Sequence, residues 1–265
     1  MDSSTVIGLV LALLALLIPI NLDLGGLSHG FISPEALIII GFGTIGAGFI
    51  SQPMDAMKNL GKLIRKSMRK SDEPNHELIT RLVSLAEKAR REGLLSLEED
   101  TAQLGDPFLQ KGMQLVIDGT DPELVRQVLE IDLALMEKRH ETGFGAFEAM
   151  GGFAPTFGIM GTVLGLVKVL ANLADPSTLG PAISTAFLAT FYGISSANVF
   201  WLPIAAKLRK KSEEEARFRQ VMLDGILSIQ AGDNPRIIQE KLEGFLAPKE
   251  RGGEAGGAGG AAQAA

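Results

Sequence analysis

The hydrophobic residues of this chain are concentrated in four runs that form two well-separated pairs. The first pair covers residues 6–20 and 36–50, and the second pair covers residues 151–173 and 182–206. A helix needs about 20 apolar residues to cross the hydrocarbon core of a bilayer. The two later runs have this length, and the two earlier runs reach it together with their flanking residues. The pattern therefore predicts an all-α integral membrane protein with four transmembrane helices.

The two earlier runs have an alternative interpretation, because about 15 apolar residues also suit a buried helix of a soluble core. Their arrangement as a hairpin beside two longer runs favours membrane spans. The first run lacks a basic segment ahead of it and a small-residue cleavage site after it. We therefore expect it to be a retained helix rather than a signal peptide.

Lysine and arginine residues directly follow the second and fourth runs, whereas the two short connections, residues 21–34 and 172–181, contain none. These basic residues are Lys58, Lys62, Arg65, Lys66, Arg69, Lys70, Lys207, Arg209, Lys210 and Lys211. Basic residues concentrate on the cytoplasmic side of membrane proteins. This rule places the N-terminus, the middle segment and the C-terminus in the cytoplasm. Since the basic residues adjoin membrane runs, we expect no nucleic-acid binding.

The polar middle segment is predicted to be a helical cytoplasmic domain. Apolar residues recur at close to a 3.6-residue period over residues 76–92, and Gly93 is the expected stop. Further helices are expected to begin near Ser96, after Asp106 and at Pro122, and the last of them leads directly into the third run. No alternating pattern predicts a strand.

These patterns divide the chain into five parts. The parts are a transmembrane hairpin at 1–52, a cytoplasmic helical domain at 53–148, a second transmembrane hairpin at 149–206, cytoplasmic C-terminal helices at 207–248 and a disordered Gly/Ala tail at 249–265. The tail is expected to be disordered because its composition cannot bury a core.

The residues offer no catalytic or metal-binding constellation. The chain has no cysteine, and its three histidines are far apart in the sequence. Disulfides and thiolate chemistry are therefore excluded, and no metal-ligand spacing is present. The glycine-rich stretches lie in apolar runs and match neither a Walker loop nor a dinucleotide-binding fingerprint. We predict a protein that is not an enzyme and that has no cofactor.

Small residues recur at four-residue spacing in the last two runs. They are Ala154, Gly158, Gly161, Thr162 and Gly165 in the third run, and Ala186, Ala189, Thr190, Gly193 and Ala197 in the fourth. Such rows let helices approach backbone to backbone. They predict either packing within the hairpin or self-association into a ring or tight bundle, and the sequence does not separate the two.

Pro155 and Pro203 lie at similar depth, near the cytoplasmic ends of the third and fourth runs. A proline removes a backbone hydrogen bond and can kink a helix. Two interpretations stay open: ordinary prolines at helix ends, or a paired hinge.

Thr162 and Thr190 are the most deeply placed polar residues of these runs. Their hydroxyls either bond back to their own helix or offer oxygen to a partly dehydrated sodium ion. Two hydroxyls cannot balance the charge of a cation in a low dielectric, so a carboxylate is required. None of the four runs contains one. If the protein conducts ions, we expect a second chain to supply the acid.

Three stretches carry a resemblance to a known family. They are APTFGIMGTVLG at 154–165, the stretch from Tyr192-Gly193 to ANVFWLPIA at 197–205, and RREGLLSLE at 90–98. The chain, over residues 1–248, resembles the flagellar motor stator proteins MotA and PomA of the MotA/TolQ/ExbB superfamily. The resemblance implies a stator subunit of the bacterial inner membrane, arranged as a homopentamer around two copies of a single-span MotB- or PomB-type partner.

The resemblance also implies roles for individual residues. The partner supplies the ion-binding aspartate, and ion flow drives torque on the rotor protein FliG. Arg90 and Glu98 match the family's rotor-contacting charges, Pro155 and Pro203 match its functional prolines, and Thr162 and Thr190 match hydroxyls of sodium-type members. Ala189 departs from that pattern, because sodium-type chains often have a second threonine there. Sodium is favoured over protons as the transported ion.

Three other classes compete with this interpretation. An ExbB- or TolQ-like energy transducer resembles a three-span design with its N-terminus outside, which the predicted four spans disfavour. A self-sufficient secondary transporter usually carries an ionisable coupling residue within a span. A membrane scaffold without transport is the third alternative.

Overall fold

The computed structural model describes residues 3–23, 31–69 and 76–246, and it is all-α over these residues. The helices, in chain order, are α1 (Ser3–Asp23), α2 (Pro34–Ser51), α3 (Met54–Lys58), α4 (Leu60–Ser67), α5 (His76–Glu92), α6 (Glu98–Ala102), α7 (Pro107–Ile117), α8 (Pro122–Ala171), α9 (Pro176–Ser196), α10 (Leu202–Gln230) and α11 (Pro235–Glu243). A short 3₁₀ helix, Leu94–Leu97, precedes α6, and a π-helical turn, Ala197–Trp201, joins α9 to α10. The predicted disordered tail lies outside the described residues.

The helix boundaries of the middle segment follow the local signals in the sequence. Gly93 ends α5 with a φ of 87°, a backbone conformation that favours glycine. The Asp106 carboxylate accepts hydrogen bonds from the Phe108 and Leu109 amides and so caps α7. Pro122 is the first residue of α8, as predicted. These boundaries were readable from sequence because each depends on a local backbone requirement.

Three described helices are long and apolar enough to cross a membrane: Pro34–Ser51, Pro122–Ala171 and the continuous stretch Pro176–Gln230. Within α1, the apolar stretch Thr5–Ile18 is shorter than these three. The helix that starts at Pro122 does lead into the third run without a break. The count of four spans stays a prediction.

The chain divides into two compact units, and the first contains residues 1–70 and 138–211. In this unit α2 packs against α9. In the same unit a cluster of apolar side chains joins α3 and α4 to α8 and α10, with Phe147 and Met150 fully buried. The rings of Phe147 and Trp201 lie 6.1 Å apart in this cluster. The cluster sets the position of the two short helices that follow α2.

The second unit contains residues 71–137 and 212–265. Its core brings together α5, α7, α11 and parts of α8 and α10, with Leu82, Met113 and Ile226 fully buried. A Cβ at Gly225 would lie 2.8 Å from Leu82 Cδ1, so α10 and α5 approach closely there. The unit therefore has a hydrophobic core of its own. The predicted boundaries of the cytoplasmic domain stay predictions.

Candidate functional site

Small residues hold α8 and α9 at backbone distance. A Cβ at Gly193 would lie 2.6 Å from the Ala154 carbonyl oxygen and 3.0 Å from Gly158 Cα. A Cβ at Gly165 would lie 2.6 Å from Ala186 Cβ. The small-residue rows are thus used inside the hairpin, the first of the two expected uses. Self-association stays a prediction.

The close approach brings Thr162 and Thr190 into contact, with their hydroxyl oxygens hydrogen-bonded to each other. Thr162 Oγ1 also lies 3.0 Å from the Ala186 carbonyl oxygen and 3.2 Å from the Gly158 carbonyl oxygen. Each hydroxyl has one proton and can satisfy only one acceptor at a time. Four oxygens therefore lie together on a half-buried stretch of the hairpin. Both expected uses of the hydroxyls, back-bonding and oxygen donation to a cation, remain compatible with this geometry.

Ion pairs lie near both ends of the third apolar run. Lys168 Nζ donates to Glu35 Oε1 at 3.2 Å, next to the first turn of α2. Just before the start of the third apolar run, Arg209 forms an ion pair with Glu148 and lies 5.1 Å from the centre of the Phe144 ring. The sequence suggested neither pair, because the partners are more than 60 residues apart. The two pairs leave the threonine contact without a nearby charge from the apolar runs.

Tyr192 ties the start of α2 to α9. Its hydroxyl donates a hydrogen bond to the Phe31 carbonyl oxygen, and the Ser33 amide lies 3.4 Å from the Tyr192 oxygen. The Ser33 hydroxyl caps α2 by accepting from the Ala36 amide at 3.3 Å. Sequence reasoning assigned Tyr192 no role. Its signal was that a lone tyrosine in an apolar run needs a partner for its hydroxyl.

Pro155 lies inside α8, and Pro203 is the second residue of α10 within the continuous helical stretch Pro176–Gln230. Pro155 is half-buried, and Leu202 separates Pro203 from the π-helical turn. At that turn the Leu202 amide bonds to the Ala197 carbonyl oxygen five residues earlier. Proline has no amide proton to continue the α-helical ladder, and a single π turn absorbs such an interruption. The turn was not predicted, although Pro203 was the signal for it.

Arg90 and Glu98 lie in the second unit, and both side chains are exposed. Within residues 76–137 and 212–246 neither has an ion-pair partner. On either side of residues 90–98 in the sequence, Lys88 and Asp100 form an ion pair, with Lys88 Nζ 2.7 Å from Asp100 Oδ2, and the pair links α5 to α6. That hydrogen bond raises the pKa of Lys88 above its usual value. The pair thus joins the two helices that carry Arg90 and Glu98.

Lys211 is 7% exposed and performs a structural task that the sequence did not reveal. Its ammonium group donates to the Lys66 carbonyl oxygen at 2.9 Å and to the Arg69 carbonyl oxygen. These carbonyls lie at the C-terminal end of α4, where a cation is stabilising. Lys211 was one of four basic residues after the fourth run, and nothing local distinguishes it from the others.

Comparison with known proteins identifies the family. The model of the MotA/TolQ/ExbB proton channel family matches residues 100–221. Motility protein A of Borreliella burgdorferi is 39% identical over 251 residues, which cover 95% of this chain and 96% of that protein. Chemotaxis protein PomA of Vibrio alginolyticus is 37% identical over 247 residues, 93% of this chain and 96% of that one. A chain of the flagellar MotAB stator complex from Bacillus subtilis matches with a TM-score of 0.86 at 37% identity, covering 94% of this chain and 98% of that chain.

The chain belongs to the MotA/PomA family. The resemblance drawn from the three sequence stretches is therefore confirmed. Family membership and the long apolar helices make this MotA/PomA protein a multi-pass protein of the inner membrane. No group of three or more acidic, histidine or cysteine side chains that could hold a metal occurs within the described ranges. The roles of Thr162, Thr190, Pro155 and Pro203 stay predictions.

Proposed function

We propose that this chain is the MotA-type subunit of a bacterial flagellar stator. Four spans place both termini in the cytoplasm, and a single-span MotB-type partner completes a channel that is driven by sodium. Ion flow through the channel produces torque on the rotor. The observation that carries the proposal is the Thr162–Thr190 contact, an oxygen-rich point in a hairpin whose apolar runs have no carboxylate.

The missing carboxylate is the argument for the partner. Moving a cation from water into a low dielectric costs several kcal/mol unless an opposite charge is present. Glu35 and Glu148 are engaged with Lys168 and Arg209 at the two ends. The solved relative from Bacillus subtilis is a MotAB complex, which supports a second chain as the source of the acid.

The oxygen cluster is the argument for sodium. Sodium must exchange water oxygens for protein oxygens as it enters, whereas a proton needs only a titratable acid. Thr162 and Thr190 bring two hydroxyls next to the Gly158 and Ala186 carbonyls. The similarity to PomA supports the assignment.

The exposed charges of the second unit are the argument for torque. Arg90 and Glu98 are exposed to solvent on either side of the Gly93 turn, and the Lys88–Asp100 pair spans this turn. They would contact FliG, while a ring of five copies turns about the partner. Pro155 and Pro203 would couple ion binding in the hairpin to movement of α8 and α10, the two helices that run from the apolar stretches into the second unit.

Sodium flux into liposomes tests the channel. We expect no flux through the chain alone, and flux when it is reconstituted with a MotB-type partner. The matched control is the same complex with the partner's membrane aspartate replaced by asparagine, which should be silent. Conductance by the chain alone would instead favour a self-sufficient transporter.

The dependence of swimming on external sodium tests which ion is transported. In a strain without its own stator, the chain and its partner should support swimming that rises with external sodium and survives collapse of the proton gradient. Replacement of Thr162 by valine removes one hydroxyl at almost constant volume and should weaken the sodium dependence. Swimming that continues without sodium and stops with the proton gradient would reverse the assignment.

A further inference from the structure

A cavity of about 450 Å³ lies in the first unit between α1, α4 and the junction of α9 with α10. Its walls are mostly apolar and include Leu9 and Ala12 of α1 and Ile64 and Met68 of α4. Its volume falls in the range of about 300–1,000 Å³ that is typical of ligand sites. The Thr162–Thr190 contact is not part of its lining.

One basic side chain lines this cavity, and further basic residues lie on the exposed face of α4. The Lys207 side chain is part of its lining. On α4 the apolar residues Leu60, Leu63 and Ile64 pack into the cluster around Phe147. The opposite face of the same helix exposes the basic side chains Lys62, Arg65 and Lys66, and Arg69 follows it. A helix with one apolar and one basic face suits the boundary between acyl chains and headgroups.

The third wall is the irregular part of the fourth apolar helix. Val199 and Phe200 of the π-helical turn line the cavity, and so does Pro203. Turns of this kind are frequent at functional sites. An occupant of the cavity would therefore contact the segment where the helix is interrupted.

We propose that this cavity binds an anionic phospholipid of the cytoplasmic leaflet. One acyl chain lies between α1 and the π-helical turn, and the phosphate lies against Lys207. Basic pockets beside membrane helices on the cytoplasmic side recognise anionic headgroups. The apolar walls and the basic end together match a molecule with an acyl chain and a phosphate. The assignment of the leaflet rests on the membrane orientation proposed above.

Two substitutions, each with a control, test the apolar walls and the basic end of the cavity separately. Gly8 lines the cavity, and a Cβ added there meets no atom within 4 Å, so Gly8→Leu is chosen to add apolar volume at the cavity wall. Gly41→Leu is the matched control, because Gly41 also has open space but does not line the cavity. Lys207→Gln removes the charge, and Lys210→Gln removes a neighbouring charge outside the lining.

The experiment titrates the purified full chain in detergent with phosphatidylglycerol or phosphatidylcholine and counts bound lipid by native mass spectrometry. We expect phosphatidylglycerol to bind more tightly, Lys207→Gln to weaken it about fivefold and Gly8→Leu to weaken it about tenfold. The Gly41→Leu and Lys210→Gln controls should bind as the native chain does. Ala12→Leu provides a second filling variant if Gly8→Leu does not fold.

Three results would overturn the proposal. They are equal binding of the two lipids, unchanged binding in both filling variants, and competition by glycerol phosphate as strong as that by the whole lipid. The last result would mean that the basic end binds a free phosphate and that the apolar walls play no part. Because the readout is bound lipid and not ion flux or swimming, failure here is distinct from failure of the proposed function.

Discussion

Replacing Gly193 by alanine tests whether backbone contact between α8 and α9 holds the threonine pair together. The new Cβ would lie 2.6 Å from the Ala154 carbonyl oxygen. An ordinary contact between carbon and a carbonyl oxygen is about 3.3 Å, so the two helices must separate by roughly 0.7 Å at this level. The atom in the way belongs to the backbone and cannot rotate aside. Thr190 is one helical turn away and would move with the helix.

Two effects of opposite sign determine how much Gly193→Ala changes the free energy of unfolding. Overpacking a tight contact costs about 1–3 kcal/mol, and the rigid backbone places this case at the upper end. Alanine favours a helix over glycine by about 1 kcal/mol. Gly193→Ala should therefore destabilise the protein by about 2 kcal/mol. Gly152→Ala is the control, because a Cβ at Gly152 meets nothing within 4 Å and only the helix preference of alanine over glycine remains.

The measurements are thermal unfolding of the purified protein in detergent and swimming in a strain without its own stator. Gly193→Ala should lower the unfolding temperature and impair swimming, whereas Gly152→Ala should match or exceed the native protein in stability. Equal stability of the two variants would refute the backbone contact. Lower stability with undiminished swimming would refute the link between this contact and the threonine pair.

Three further predictions concern single charges. Lys211→Met keeps the side-chain volume but removes the cap of α4, so it should cost about 2 kcal/mol in unfolding free energy, while the exposed Lys210→Met stays within about 0.5 kcal/mol. Arg90→Glu should reduce swimming torque and leave membrane assembly intact, as judged by the amount of purified complex; a loss of assembly would make Arg90 structural. Hydrogen bonds from the Ser177 hydroxyl and amide lower the pKa of Asp175, the cap of α9. The stabilisation of the protein by the ionised Asp175 carboxylate is complete above the pKa of this group in the unfolded chain, and it is lost as the pH falls through the lower pKa of the folded chain. The difference in unfolding free energy between the native chain and Asp175→Ala should therefore shrink below about pH 4. A difference that does not change with pH would contradict this role.

Features that depend on neighbouring residues were predictable from the sequence. The start of α8 at Pro122, the end of α5 before Gly93 and the Asp106 cap of α7 each depend on the conformation or hydrogen bonding of a few consecutive residues. The spacing of small residues likewise indicated close packing of α8 on α9. Spacing gives the face of a helix and not its partner, so it left open whether that face meets the same chain or another copy.

Contacts between distant residues were not predictable in the same way. The pairing of Lys168 with Glu35 and the hydrogen bond from Tyr192 to Phe31 join residues more than 130 positions apart. Both depend on how α2 lies against the hairpin, and no local pattern specifies that arrangement. The site was predictable in its residue types, through Thr162 and Thr190, but not in its geometry.

The geometry joins the two threonines to the rest of the hairpin more closely than their spacing implied. Thr162 shares the Gly158 carbonyl with Thr190, and Gly158 is also the residue that meets Gly193 backbone to backbone. The residue that permits helix contact therefore also supplies an oxygen to the hydroxyl pair. Any movement that parts α8 from α9 must change the oxygen positions at the same time. This shared residue gives a physical route by which occupancy of the oxygen cluster and the separation of the two helices depend on each other.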